Sequence, residues 1–123
     1  GQAPQGAAYV FDRNGGSWTQ VAKLVAVDGP VVGAFGLSVA VHGDFALVGR
    51  PSDTIGANSS QGSAYLFSRS NGLWSQRGKI VASDGGAGDG FGTAVALSAV
   101  ITLLGSPNDA VGKNPLQGSA YLG

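Results

Sequence analysis

The sequence predicts an all-β protein assembled from a repeated unit of four short antiparallel strands. The segment Gln61-Gly62-Ser63-Ala64-Tyr65-Leu66-Phe67 recurs as Gln5-Gly6-Ala7-Ala8-Tyr9-Val10-Phe11 and as Gln117-Gly118-Ser119-Ala120-Tyr121-Leu122, 56 residues apart each time. A fixed period in this range marks a repeat architecture. Glycine makes up 22 of 123 residues, well above the usual ~7%, and it lies between apolar runs, where it reads as tight turns. No segment shows a 3.6-residue apolar period over a helical length, so almost no helix is expected.

Residues 5–60 align with 61–116 without a gap, and roughly 24 positions are identical, as duplication of one structural unit would leave them. In the first copy the strand-like segments are about 6–12, 18–26, 36–42 and 44–49. In the second they are about 62–68, 74–82, 92–98 and 100–105. All are short and rich in Val, Leu, Ile, Tyr and Phe, which suit a pleated, packed surface. Asn14-Gly15-Gly16, Gly43-Asp44 and Asn71-Gly72 supply the positive-φ positions that close hairpins. Asp53-Thr-Ile-Gly56 and Asp109-Ala-Val-Gly112 each open with an Asp whose carboxylate can accept from backbone amides two residues on.

Several strands are apolar on both faces, as in Ala64-Tyr65-Leu66-Phe67 and Val39-Ala40-Val41. Such strands need a covering layer on each side. Four antiparallel strands per unit, stacked face to face, describe the blade of a β-propeller.

Phe35-Gly36-Leu37-Ser38-Val39-Ala40 followed by Leu47-Val48-Gly49-Arg50-Pro51 resembles the FG-GAP repeat of integrin α-subunit propellers and of many bacterial secreted proteins. Phe91-Gly92-Thr93-Ala94-Val95-Ala96 and Leu104-Gly105-Ser106-Pro107 repeat the pattern, with Arg50 and Ser106 replacing its middle Ala. The resemblance implies that Phe-Gly opens a blade. On that register residues 1–34 carry the last two strands of one blade, 35–90 one complete blade, and 91–123 the first three strands of the next.

Closure of a propeller takes ~4–8 blades, so about two blades are expected to leave open faces. With ~500 Å² of apolar surface on each, the unburied area corresponds to about 12 kcal/mol per face. The favoured expectation is a place within a longer chain. Head-to-tail association of copies is the other expectation, and it leaves the third Gln-Gly-Ser-Ala-Tyr strand as a surplus at each joint.

The seven basic residues balance seven acids, all Asp, and charged residues are 11% of the chain, so no nucleic acid or anionic membrane surface is expected as a partner. No apolar run approaches ~18 residues, so membrane insertion is not expected. There is no Cys, which removes disulfides and thiolate metal sites. The resemblance brings with it a calcium loop between the first two strands of a blade. Here that loop reads Val41-His42-Gly43-Asp44-Phe45 and Leu97-Ser98-Ala99-Val100-Ile101, too few carboxylates for the six to eight oxygens calcium takes. Asp84 and Asp89 flank a glycine-rich loop that reads as turn capping, and no metal or other cofactor is expected. His42, the single histidine, falls at a hairpin tip with no nucleophile arranged around it, so catalysis is not expected.

The resemblance implies an extracellular, secreted or cell-surface binding scaffold for a protein or glycan ligand. Alternatives are a glycan-binding lectin propeller and the accessory propeller of a larger secreted enzyme. Loops on a rigid scaffold carry function, which nominates Arg50, Ser52 and Asp53 with Ser106, Asn108 and Asp109. Trp18 and Trp74 are candidate sugar-stacking platforms, against the plainer reading that they pack over the outer edge of a blade. Arg13, Lys23, Arg69, Arg77 and Lys79 punctuate the outer strands, where charge discourages edge-to-edge pairing.

Overall fold

The computed structural model describes residues 6–27, 34–98, 102–111 and 117–122. Among the described residues there is no helix, and the strands are β1 (Ala8–Asn14), β2 (Ser17–Leu24), β3 (Ser38–His42), β4 (Phe45–Arg50), β5 (Ser63–Ser70), β6 (Leu73–Ile80), β7 (Ala94–Leu97), β8 (Thr102–Ser106) and β9 (Ser119–Leu122). They form three antiparallel sheets in the orders β1-β2, β3-β4-β5-β6 and β7-β8-β9. Each strand pairs with its neighbour in sequence, so the protein is an all-β stack of propeller blades, the middle one complete with four strands.

Local sequence accounts for the turns. Asn71 and Gly72 hold φ of 53° and 78° between β5 and β6, the doubly left-handed turn whose twist matches the flanking strands. Both β1 and β5 shift register at one place, between Val10 and Phe11 and between Leu66 and Phe67. These bulges are one period apart, so the repeat encodes them along with the strands.

Two apolar seams join the sheets. The first gathers Ala8 and Leu24 from the two-stranded sheet against Phe35, Ala46, Val48, Tyr65 and Phe67. The second gathers Leu47, Ala64 and Ala82 against Phe91 and Leu104, with Leu66, Ile80, Val95, Leu97 and Tyr121 packed beside them. Alternate residues of β4 and β5 therefore enter opposite seams, which is why these strands are apolar on both faces. Phe35 meets the Tyr65 ring edge-on at 5.3 Å and Phe91 meets Tyr121 at 5.3 Å, one period apart.

The second seam also brings backbone against backbone. Phe91 donates its N–H to the Gln61 carbonyl at 2.9 Å, and Ser38 Oγ donates to the Gly92 carbonyl at 2.8 Å. A Cβ on Gly62 would lie 2.1 Å from the Phe91 carbonyl oxygen, and one on Gly92 would lie 2.4 Å from that of Ser63. The Gln-Gly and Phe-Gly dipeptides thus recur because each is the other's contact surface between blades.

Candidate functional site

Every blade turn after the Gly-x-Pro stretch leads into an inward-facing aspartate, and the best-defined polar cluster is built there. Asp53 is buried, as are Arg50 and Ser63. Asp53 Oδ2 accepts from Ser63 Oγ at 2.7 Å and from Lys79 Nζ at 2.9 Å. Arg50 Nη1 stands 3.7 Å from Asp53 Oδ1 and donates to the Tyr65 hydroxyl at 2.7 Å. The Lys79 ammonium also lies 5.3 Å from the Tyr65 ring centre. Adjacent β-strands place Ser63, Tyr65 and Lys79 on one side of the sheet, since Tyr65 and Lys79 are direct cross-strand partners. Two cations converge on one carboxylate, an arrangement that holds the charges inside by mutual pairing.

The next sheet repeats the frame with different contents. Asp109 is buried and accepts from Ser119 Oγ. Ser106 stands where Arg50 does and donates to the Asp89 carbonyl at 3.1 Å. The Tyr121 hydroxyl donates to Asp84 Oδ1 at 2.8 Å, with Asp109 Oδ2 at 3.3 Å. Burial, followed by the hydrogen bond to Asp84, pushes the Tyr121 phenol up to about 12. The loops themselves match: Gly62 N–H donates to the Asp53 carbonyl at 3.0 Å and Gly118 N–H to that of Asp109 at 2.8 Å.

The nominated residues therefore divide. Arg50, Asp53, Ser106 and Asp109 point inward, whereas Ser52 and Asn108 beside them are exposed. Asp53 takes its partners from side chains rather than from the local amides expected of a turn Asp. Lys79 is not only an outer-strand charge, because its ammonium reaches this buried carboxylate. Sequence spacing did not point to Ser63, Tyr65 or Lys79 as members of the cluster; the signal available was that all three recur or are replaced conservatively one period away.

The tryptophans also divide. Trp18 is 67% exposed, while Trp74 packs against the first seam beneath the Arg69 guanidinium, 5.4 Å from its ring centre. Trp74 has the two-stranded sheet beside it, and no described sheet lies beside Trp18. Arg69 bridges the two sheets through Asp12 at 3.3 Å and Asp44 at 3.0 Å, and the Asp44 hydrogen bond raises its already high pKa. The carboxylate of Asp44, in the loop between the first two strands of the middle sheet, is thus taken by Arg69, and His42 beside it is exposed. The corresponding loop around Ala99–Ile101 lies outside the described residues. Asp89 accepts from the Gly86 N–H at 2.8 Å, which is the turn capping its glycine-rich loop suggested. Between the first two sheets runs an apolar groove of about 510 Å³, lined among others by Val10, Phe11, Val39, Val41 and Trp74.

Comparison with known families finds the FG-GAP repeat twice, over residues 18–67 and 74–123. The chain belongs to the FG-GAP repeat family. A search of curated proteins found no match to it. Each FG-GAP match starts at a tryptophan of an outer strand and runs through the inner strands of the following sheet, so one sequence repeat spans one inter-blade seam. No helix among the described residues is long and apolar enough to cross a membrane.

Proposed function

We propose that this FG-GAP chain is a non-catalytic binding scaffold, extracellular or at the cell surface, that presents blade-end loops to a protein or glycan ligand. The observation that carries this reading is the identical locking of two successive loops. Asp53 and Asp109 face inward, each receiving a serine hydroxyl, and the carbonyl of each accepts from the N–H of the glycine that leads into the next strand. Ser52 and Asn108 thereby stand exposed at equivalent places on a rigid base, the arrangement that lets repeated weak contacts add. The charges that sequence alone would offer to a ligand are engaged in holding the loops.

The test is binding of the 123-residue protein to a panel of matrix glycoproteins and to a glycan array, beside Ser52→Arg and Asn108→Arg variants. Binding weakened at least tenfold by either variant supports the reading, and binding indifferent to both removes the loops from it. A second reading, a lectin, is favoured by the exposed indole of Trp18, whose face is free to stack on a sugar. Glycan-array signal lost on Trp18→Ala would select it.

A further inference from the structure

The linker that carries the chain from β6 to β7, residues 81–93, is held from both sides. On the side of the middle sheet's loop, the carbonyls of Ser59, Ser60 and Gln61 accept from the N–H groups of Gly88, Gly90 and Phe91 at 2.8, 3.1 and 2.9 Å. On the side of the third sheet's loop, the Asn108 N–H and the Ser106 hydroxyl both donate to the Asp89 carbonyl, at 3.2 and 3.1 Å. Asp89, Phe91 and Ser106 are buried, which shields the bonds at their backbone from water. One short stretch of chain therefore touches the loop after Ser52 and the loop that carries Asn108.

The backbone is shaped for this double grip. In an extended strand successive carbonyls point to opposite sides, so those of Ser59, Ser60 and Gln61 reach one neighbour only because the chain turns at Ser60. That residue holds φ of 54°, a region L-residues avoid, and such a conformation persists only where the surroundings impose it. Gly88 and Gly90, with φ of 79° and 70°, turn the linker to match. Their N–H groups face one loop while the Asp89 carbonyl between them faces the other. Side chains hold the linker's first half in the same two-sided way. Gln61 Nε2 donates to the Ala82 carbonyl at 3.1 Å and Asn58 Nδ2 to Gln61 Oε1 at 2.9 Å, while the Tyr121 hydroxyl of β9 donates to Asp84.

We propose that this linker is a strut that couples the two loops, so that a contact stiffening one loop stiffens the other. The inference rests on the reading of these loops as the binding surface and adds a regulation to it. Binding orders a loop at a cost in conformational entropy. Where two loops are tied to one strut, ordering the first leaves less to order in the second, and contacts at Ser52 and Asn108 reinforce each other without a change of shape. Such coupling is reciprocal. A ligand long enough to cross the seam is then favoured over one that fits either loop alone.

Hydrogen exchange of the ligand-free 123-residue protein, read amide by amide by NMR, tests the coupling. Ser106→Ala removes a bond on the third sheet's side, and Asn58→Ala removes one on the middle sheet's side. Rates are taken relative to the amides of Leu47 and Leu66, cross-strand partners inside the middle sheet, so that a general loss of stability cancels. Ser106→Ala should speed exchange at Asn108 and also at Gly90 and Phe91, by about threefold or more where one buried hydrogen bond is lost. Asn58→Ala should speed Gly90 and Phe91 and also Asn108, although its own bonds go to Gln61 and Gly85. Acceleration on both sides of the linker in each variant supports the strut. A variant that moves only its own side, or neither, overturns it. The readout needs no ligand, so loops that bind nothing would leave this result standing, and uncoupled loops would leave Ser52 and Asn108 as separate binding positions.

Discussion

Gly62→Ala tests the central claim about the seam, that the recurring glycines exist to let two blades touch through their backbones. Gly62 has φ of +91°, and a Cβ there would stand 2.1 Å from the Phe91 carbonyl oxygen and 2.5 Å from its nitrogen. The left-handed conformation costs an L-residue about 1–2 kcal/mol. Backbone atoms cannot rotate away as a side chain would, so overpacking adds about 1–3 kcal/mol. The sum, about 2–5 kcal/mol, corresponds to a fall in Tm of roughly 8–20 °C for a chain of this size. Gly72→Ala is the matched comparison, because Gly72 also has positive φ, +78°, with nothing within 4 Å of its Cβ position. It should lose only the conformational part, about 1–2 kcal/mol. Thermal unfolding followed by circular dichroism reads both. Equal losses from the two variants would refute the contact and leave only the turn conformation as the reason for the glycine.

Asp53→Ala removes the buried carboxylate that Arg50 and Lys79 face and should destabilise by about 3–5 kcal/mol, while Lys79→Met, at a partly exposed ammonium, should cost about 1 kcal/mol; urea unfolding separates them. Tyr121 holds its proton more tightly folded than unfolded, so its contribution is full below pH 10 and is lost as pH rises from 10 towards about 12. After solvent screening at this partly open site the loss is about 1 kcal/mol, and Tyr121→Phe should flatten that part of the stability-pH curve. Trp18→Ala should change stability by less than about 0.5 kcal/mol and Trp74→Ala by about 3 kcal/mol. Acrylamide should quench the Trp18 emission first, and comparable quenching of both indoles would contradict their different burial.

The strands were legible because a sheet side chain answers to two local constraints, pleat and turn, and both leave marks in sequence. Asn71-Gly72 announces a doubly left-handed turn, and the unbroken apolar run Ala64–Phe67 announces a strand covered on both faces. The period then multiplied each weak mark, since a bulge or a Phe-Gly pair seen twice at one spacing is no accident of composition. The polar cluster was not legible in the same way. Asp53 looks like a turn residue, and nothing near it in sequence says that Lys79, on the far strand of the sheet, reaches back to it. Arg50 looks like a loop cation offered to a ligand, yet it is 1% exposed, turned inward to the Tyr65 hydroxyl and Asp53.

The two copies also show that a repeated position is not a repeated environment. Arg50 and Ser106 occupy one structural place, and each is consistent only with its own surroundings. Arg50 donates to the Tyr65 hydroxyl oxygen and stands beside Asp53. Ser106 is too short to reach Tyr121, and the phenol turns to Asp84 and Asp109 instead. Asp84 sits in the loop after the middle sheet, so this hydrogen bond runs across the seam. A side chain at that position decides more than its own packing, because it sets whether the neighbouring tyrosine oxygen receives a guanidinium N–H.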